Sequence, residues 1–193
     1  MKIVGVGCGP GMLSDAARKA IGGATEIYGS MRAIELVREE ISLSANVTVI
    51  TDYHGLRELP GEAVVLSTGD PMLAGLGYLG GEVIPGISSL QVACSRLRIS
   101  LVRVAVVDAH GTDHDKAVLQ VREELRRGKV VFLLSMPGFD PAMLTEGLCE
   151  PAGGYRIALC EELGYPGERI VIGTPDEPPG PSSLLHSYVI GKF

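Results

Sequence analysis

Short apolar runs, typical of buried strands, alternate with segments of helical spacing from the start of the chain. The predicted strands cover residues 2–7, 25–30, 46–50, 62–68 and 81–84, and the predicted helices cover residues 13–21, 31–41 and 88–97. Strands that alternate with helices build a parallel sheet with helices on its faces. We therefore predict a mainly parallel α/β domain, in which Ser88 or Ser89 is the N-cap of the last helix.

The pattern restarts near residue 100 and then changes. Strands are predicted at residues 101–109, 129–135, 155–163, 169–174 and 183–190, and helices at residues 114–128 and 140–150. Leu119, Val121 and Leu125 are expected on the buried side of the first of these helices, and Asp140 is expected to cap the second. The last three strands are separated only by short polar turns, which favours antiparallel pairing. The prediction is two α/β domains, residues 1–107 and 108–193, the second with a mixed sheet.

The composition is that of a folded, acidic protein. The chain has 193 residues, of which 46% are hydrophobic, and its formal net charge is −6. An acidic chain argues against nucleic acid as a partner. The four cysteines lack the close spacing of a zinc or dithiol site, so Cys94 and Cys160 are predicted to be small core residues. We expect neither a signal peptide nor a membrane-spanning segment, and we expect a cytoplasmic location.

Residues 5–11 form a glycine-rich loop between the first strand and the first helix. A dinucleotide fingerprint would need its third glycine at Pro10 or at Met12, depending on the register. The second strand does not end in an acidic residue for a ribose, and no Gly-Lys-Ser/Thr sequence completes a mononucleotide loop. The loop fails both tests for phosphate binding. Two interpretations remain: the loop forms only a tight turn, or it is part of a different binding site.

Two further loops, STGDPMLAG and PGISS, follow predicted strands of the same domain. Ligands of open parallel sheets bind at the carboxyl ends of the strands, so Pro10, Asp70 and Ser88 are predicted to converge on one cleft. Asp70 has two interpretations: it pairs with a cation or an amine of a ligand, or it caps a helix that begins at Pro71.

Several segments occur in a defined order along the chain: GVGCGPG, LSDAARKAI, LSTGDPMLAGLG, VIPGISSLQVACSRL, DAHG and CEELGYPGERIVIGT. Together they resemble the tetrapyrrole methylase superfamily, whose members use S-adenosylmethionine (SAM), and the likeness runs nearly end to end. The segment ELGYPGERI is most similar to the branch of cobalt-precorrin-7 C5-methyltransferases in cobalamin biosynthesis. The resemblance implies an active site in a cleft between two α/β domains, and C-methylation of a corrin precursor at C5.

The resemblance also implies a set of cofactor contacts. The residues that would border SAM in the first domain are Pro10, Gly69, Asp70, Leu73, Ser88 and Ser89. In the second domain, Met136 would lie near the adenine, and the region of Ala158 would close the adenine pocket.

Methyl transfer from a sulfonium to an electron-rich ring carbon depends mainly on positioning and on the exclusion of water. His110 is the candidate for a base that removes a proton from the macrocycle, since histidine exchanges protons near neutral pH. The other interpretation is that His110 only orients a substrate carboxylate or a loop.

The implied substrate carries many carboxylates, which guanidinium groups match in shape and charge. The candidate partners are Arg32, Arg96, Arg98 and Arg103, of which Arg32 is best placed because it directly follows the second strand. A metal site could be drawn from His110, Asp113, His114 and Asp115. The two aspartates fit the start of the following helix better, so no protein metal site is predicted.

The resemblance implies a homodimer that binds a small tetrapyrrole. The acidic charge and the lack of a long apolar run predict neither nucleic acid nor a membrane as a partner. In some relatives this domain is fused to a second methyltransferase that acts on the same substrate, so a separate partner would supply the C15 methylation and decarboxylation here. Two alternatives stay open. One is a sister methyltransferase that acts on another corrin carbon or in diphthine synthesis, and the other is a non-catalytic subunit that binds SAM or a tetrapyrrole.

Overall fold

The computed structural model describes residues 1–110, 113–136, 138–144 and 154–193. The chain divides into two compact units, unit 1 (Met1–Ser89) and unit 2 (Leu90–Phe193). The predicted domain boundary between residues 107 and 108 stays a prediction.

Unit 1 alternates strands and helices along the chain. Its strands are β1 (Lys2–Gly5), β2 (Glu26–Gly29), β3 (Asn46–Val49), β4 (Val64–Ser67) and β5 (Glu82–Ile84), and its helices are α1 (Asp15–Gly22), α2 (Met31–Leu36) and α3 (Pro71–Ala74). The strands form one sheet in the order β3-β2-β4-β1-β5, in which every pair of neighbouring strands is parallel. The predicted parallel α/β domain is confirmed.

Apolar layers cover both faces of this sheet. Successive side chains of a strand point to opposite faces. Val4 and Leu66 therefore join the cluster that α1 and α2 cover, while Ile3 and Val65 join a second cluster that contains Leu56. Each of these fully buried side chains contributes about 1.5–3 kcal/mol of hydrophobic free energy, so the strand ends and the loops that follow them have a rigid base.

Serine side chains define where the first two helices begin. Ser14 accepts a hydrogen bond from the Ala17 N–H at 3.2 Å, and Ser30 accepts one from the Ala33 N–H at 3.2 Å. α2 is shorter than the predicted helix because Val37 leaves the helical region, with φ −123°. A β-branched residue is poorly suited to a helix interior, and a 3₁₀ turn continues at Arg38–Glu40.

Unit 2 has a mixed sheet. Its strands are β6 (Val104–Asp108), β7 (Val130–Leu134), β8 (Arg156–Glu161), β9 (Arg169–Gly173) and β10 (His186–Gly191); α4 (Ser89–Leu97) precedes them, and α5 (His114–Arg126) connects β6 to β7. The order is β6-β7-β10-β8-β9, where β6 and β7 are parallel and the other neighbours are antiparallel. The predicted antiparallel ending and mixed sheet are confirmed.

Three predictions about unit 2 need correction or fall partly outside the described residues. Residues 101–103 form a 3₁₀ turn rather than a strand, since β7 begins opposite Val104 and leaves them no parallel neighbour. Leu119 is 60% exposed, because the buried stripe of α5 contains Val118, Val121 and Leu125 instead. Of the predicted helix 140–150, Pro141–Leu144 forms a 3₁₀ turn, and residues 145–150 lie outside the described ranges.

The predicted core cysteines are buried in unit 2. Cys94 and Cys160 are both free thiols. Burial raises the pKa of Cys160 to about 12, and the neighbouring Cys94 and Glu168 add to this shift. Within the described ranges, the helices are all too short or too polar to cross a bilayer.

Candidate functional site

The carboxyl ends of the parallel strands in unit 1 meet at one edge of the sheet. Gly5 at the end of β1 pairs with Ser67 at the end of β4, and Gly29 at the end of β2 pairs with Leu66. The predicted site residues that follow these strand ends or that of β5 are Pro10, Arg32, Gly69, Asp70, Leu73, Ser88 and Ser89. The structure therefore brings this group to one edge, although its contacts with a cofactor stay predictions.

Backbone hydrogen bonds tie together three loops of this edge, which follow β1, β4 and β5. The Gly69 N–H donates to the Gly7 carbonyl at 2.8 Å, and the Gly7 N–H donates back to Gly69 at 3.3 Å. The loop after β1 is also bound to the loop after β5, because the Cys8 N–H donates to the Ile87 carbonyl at 2.9 Å. Gly7 and Gly69 both have positive φ, +82° and +70°, which a glycine adopts without strain.

Glycines allow the backbones of these loops to touch. A Cβ on Gly86 would lie 2.2 Å from the Gly69 carbonyl oxygen and 2.9 Å from the Gly5 Cα. A Cβ on Gly5 would lie 2.5 Å from the Gly86 nitrogen. Any side chain at Gly5 or Gly86 would therefore push the loops apart.

Asp70 connects the loop after β4 with the loop after β5. One carboxylate oxygen accepts the Met72 N–H at 2.8 Å, which caps α3 as the second interpretation predicts. The other oxygen accepts the Gly86 N–H at 3.1 Å. Both carboxylate oxygens are thus engaged by peptide groups of the protein.

The loop after β1 is not built as a phosphate site. α1 begins only at Asp15, and its N-cap Ser14 already accepts the Ala17 N–H. An acidic residue in the first turn of the helix repels an anion at that end. The exclusion of a phosphate-binding loop stays a prediction.

The predicted residues at the edge differ in accessibility. Ser88 is 4% exposed, and α4 begins at the next residue, Ser89, which is half-buried. Leu73 is half-buried and Pro10 is exposed. Ser88 is thus part of the packed loop base, whereas Pro10 lies where a ligand has direct access.

The candidate arginines lie in different surroundings. Arg32 donates from Nη2 to the Thr68 hydroxyl at 3.0 Å, which places its guanidinium beside the loop that contains Gly69. Arg96 forms an ion pair with Glu168 at 2.5 Å, and Arg103 donates to the Lys192 carbonyl at 2.9 Å. Arg32 is the arginine that these contacts place at the edge formed by the three loops.

In unit 2, His110 and Met136 follow neighbouring parallel strands. Asp108 pairs with Leu134 at the ends of β6 and β7, so the two predicted residues come at equivalent points beyond the strands. Ala158 is different, because it is fully buried within β8 and pairs with Val189 of β10. The carboxyl end of β8 lies further along, at Glu161.

His110 is paired with an acidic side chain. Its Nδ1 lies 2.9 Å from an Asp108 carboxylate oxygen, which also accepts the His110 backbone N–H. If Nδ1 carries the proton of that contact, Nε2 keeps a lone pair that can accept a proton. Both side chains are about half exposed, so a substrate has access to the ring.

The acidic residues that follow His110 belong to a helix start. Asp113 caps α5 by accepting the Asp115 N–H at 3.0 Å, and Asp115 lies in the first turn. This confirms the interpretation of the two aspartates. In the part of the chain that the structure describes, no cluster of three or more metal-ligating side chains occurs.

Sequence reasoning missed Gly5 and Gly86 as residues of this edge. The only local signal was the PG pair of PGISS, because the close approach of the two glycines depends on the strand order. It also missed the bond between Asp70 and Gly86 and the contact of Arg32 with Thr68.

Comparison with known proteins gives the class. A sequence model of the Tetrapyrrole (Corrin/Porphyrin) Methylases matches residues 2–179. A crystal structure of a cobalamin biosynthesis precorrin-6Y methylase from Archaeoglobus fulgidus has a TM-score of 0.77 and 30% identity, and the match covers 100% of this chain and 98% of that chain. The fold and the family match define a methyltransferase.

The chain belongs to the tetrapyrrole methylase family, which is SAM-dependent. It is 31% identical over 185 residues to a probable cobalt-precorrin-7 C(5)-methyltransferase from Methanocaldococcus jannaschii, with 86% of this chain and 85% of that protein covered. It is also 31% identical over 186 residues to a decarboxylating precorrin-6Y C(5,15)-methyltransferase from Sinorhizobium sp, with 88% of this chain but 44% of that protein covered. The chain thus spans less than half the length of this second relative.

Proposed function

We propose that this chain transfers a methyl group from SAM to C5 of a corrin precursor, cobalt-precorrin-7, in cobalamin biosynthesis. The proposal rests on the three loops after β1, β4 and β5, which are held against one another by hydrogen bonds. The relatives from Methanocaldococcus jannaschii and Archaeoglobus fulgidus support the substrate class, because they match this chain over most of their length.

The residues at the edge of unit 1 fit the methionine half of SAM. That half carries an ammonium and a carboxylate, so it needs peptide N–H and C=O groups rather than a phosphate-binding lysine. The loop after β1 has open space at Gly11, since a Cβ there would meet no atom within 4 Å. Bound SAM supplies a methyl group that is already activated on a sulfonium, and the loops of the chain hold it in position.

In unit 2 we propose Met136 as a contact of the adenine, since it follows the end of β7 and is partly accessible. The side chain of Ala158 has no exposed surface, so its proposed part is limited to shaping the strand beneath the pocket. Leu73 and Ser89 are proposed as partly accessible contacts of the methionine half.

His110 is proposed as the group that accepts a proton from the macrocycle after the new carbon–carbon bond forms. Asp108 would hold the ring orientation through Nδ1, and Nε2 would take the proton. The second interpretation, in which His110 orients a substrate carboxylate, predicts an effect on KM instead of kcat.

Arg32 is proposed as a partner for a substrate carboxylate. Its contact with the Thr68 hydroxyl fixes the guanidinium at the edge beside Gly69, and the group still has other N–H donors. A bidentate pair with a carboxylate would orient the macrocycle.

We propose a homodimer in the cytoplasm, and a separate protein that carries out the C15 methylation and decarboxylation. The second proposal is supported by the Sinorhizobium relative, whose name includes both carbons and of which this chain covers 44%. Light scattering of the purified chain tests the dimer, and co-purification with the C15 enzyme of the same organism tests the partner.

The test of the proposed activity is a pair of measurements with the purified chain. Calorimetric titration with SAM should show saturable binding, and single-turnover mixing with cobalt-precorrin-7, without oxygen, should convert SAM to S-adenosylhomocysteine. Binding without transfer would overturn the proposal in favour of a non-catalytic subunit. Transfer only to another corrin precursor, or to a diphthine precursor, would favour a sister methyltransferase.

A further inference from the structure

We propose that Asp70 is a positioning residue of the methyl-transfer site, which acts by holding the loop after β5 across the end of β1 rather than by contacting SAM. The inference deepens the proposed function and rests on it, because the loops that Asp70 connects are the proposed cofactor loops.

The strand order makes the bond from Asp70 to Gly86 unusual. β4 and β5 are not neighbours in the sheet, because β1 lies between them. The carboxylate of Asp70 therefore reaches over the end of β1 to accept the Gly86 N–H at 3.1 Å. Gly5 lies in the path of this connection, and a Cβ there would approach the Gly86 nitrogen to 2.5 Å.

This bond helps to determine where Ser88 and the start of α4 lie. Gly86 is two residues from Ser88, which is 4% exposed, and α4 begins at Ser89. On its other side the loop is held by the bond from the Cys8 N–H to the Ile87 carbonyl at 2.9 Å. Loss of the bond to Asp70 would leave Gly86 with close packing but without its side-chain acceptor.

Helix capping alone does not require this arrangement. Asp140 stands before a proline, like Asp70, and one of its oxygens accepts the Ala142 N–H at 2.9 Å. Among the described residues, this is the one hydrogen bond of the Asp140 side chain. Asp70 makes the same local bond to Met72 and adds the bond to Gly86.

Asparagine separates the two roles. Its single carboxamide oxygen can cap a helix as well as aspartate does. At position 70, however, the amide nitrogen would face the Gly86 N–H, and two donors cannot bond to each other. Asp70→Asn therefore loses one of the two bonds, whereas Asp140→Asn keeps its bond and serves as the matched control.

The experiment compares wild type, Asp70→Asn and Asp140→Asn. Titration with SAM gives Kd, steady-state kinetics give kcat and both KM values, and thermal unfolding gives Tm. We expect Asp70→Asn to weaken SAM binding about tenfold to a hundredfold, as for a lost hydrogen bond to a charged group. Asp70→Asn should also lower Tm, since the lost bond lies within the protein, but the KM for the corrin precursor should change far less than the Kd for SAM. Asp140→Asn should match wild type in Kd.

A readout that does not depend on activity is the exchange of the Gly86 amide hydrogen, followed by NMR. It should exchange faster in Asp70→Asn than in wild type. An unchanged Kd in Asp70→Asn, or an equal loss of Tm and affinity in both variants, would overturn the inference while wild type still binds SAM. If wild type itself fails to bind SAM, the proposed function is refuted as well.

Discussion

Replacement of Glu161 should destabilise unit 2 strongly, because this buried carboxylate joins three segments. The side chain is 2% exposed. One oxygen accepts the backbone N–H groups of Ser182 at 2.5 Å and Ser183 at 2.8 Å, and the other accepts Arg169 Nε at 2.6 Å. Burial raises the pKa of Glu161, but the bonds from Ser183, Ser182 and Arg169 outweigh it, and the pKa lies below its ordinary value of 4.5.

The magnitude follows from the bonds that are lost. Glu161→Ala leaves the N–H groups of Ser182 and Ser183 without their acceptor and removes the partner of the half-exposed Arg169. Each backbone donor left without a partner costs about 1–3 kcal/mol. Glu161→Gln keeps one oxygen acceptor, but its amide NH₂ group would face either the two serine N–H groups or the Arg169 guanidinium, which are also donors. The substitution should therefore cost about 1.5–3 kcal/mol. Glu123→Gln is the control, since its pair with Arg127 is exposed on α5 and surface pairs contribute little.

The assay is urea unfolding of wild type and the three variants as a function of pH. A carboxylate whose folded-state pKa is lowered contributes stability that is fully present above the unfolded-state pKa and is lost as pH falls through the folded-state pKa. The difference between wild type and Glu161→Gln should therefore be constant near neutral pH and shrink below about pH 4.5. A difference under about 1 kcal/mol at pH 7, or one that does not change in acid, would refute the reasoning.

The remaining predictions concern the candidate site. Gly86→Ala should lower the free energy of unfolding by about 1–3 kcal/mol and weaken SAM binding, because its Cβ would overlap the Gly69 carbonyl oxygen. Gly61→Ala is the control and should change neither quantity, because a Cβ at Gly61 would meet no atom within 4 Å. His110→Ala should lower kcat, whereas His54→Ala, which breaks a similar exposed Asp–His pair, should not. An unchanged kcat in His110→Ala would exclude it as the base. Arg32→Ala should raise KM for the corrin precursor with Tm unchanged, and unaltered kinetics would remove it from the site.

Local signals were enough to predict most of the fold. The periodicity of residues 2–97 gives strands and helices whose alternation specifies a parallel sheet. One failure has a local cause and the other depends on strand pairing. At Val37 the helix ends early, and residues 101–103 lack a neighbouring strand, which no periodicity reveals.

The candidate site was harder to predict, since its contacts are long-range. The sequence suggests that Asp70 is a cap or a ligand contact, and its bond to Gly86 exists only because β1 lies between β4 and β5. The environment of Glu161 similarly depends on Ser182 and Ser183, which precede β10 and lie more than 20 positions away in the sequence. Ala158 shows the reverse case, where a residue assigned by resemblance lies inside a strand with its side chain fully buried.

The most direct test of the central claim is to locate the transferred methyl group. The chain would be incubated without oxygen with cobalt-precorrin-7 and SAM that carries a ¹³C-methyl group, and the product would be examined by NMR. The account predicts one labelled methyl group at C5 and none at C15. A label on a different carbon, or no label although SAM binds, would contradict it.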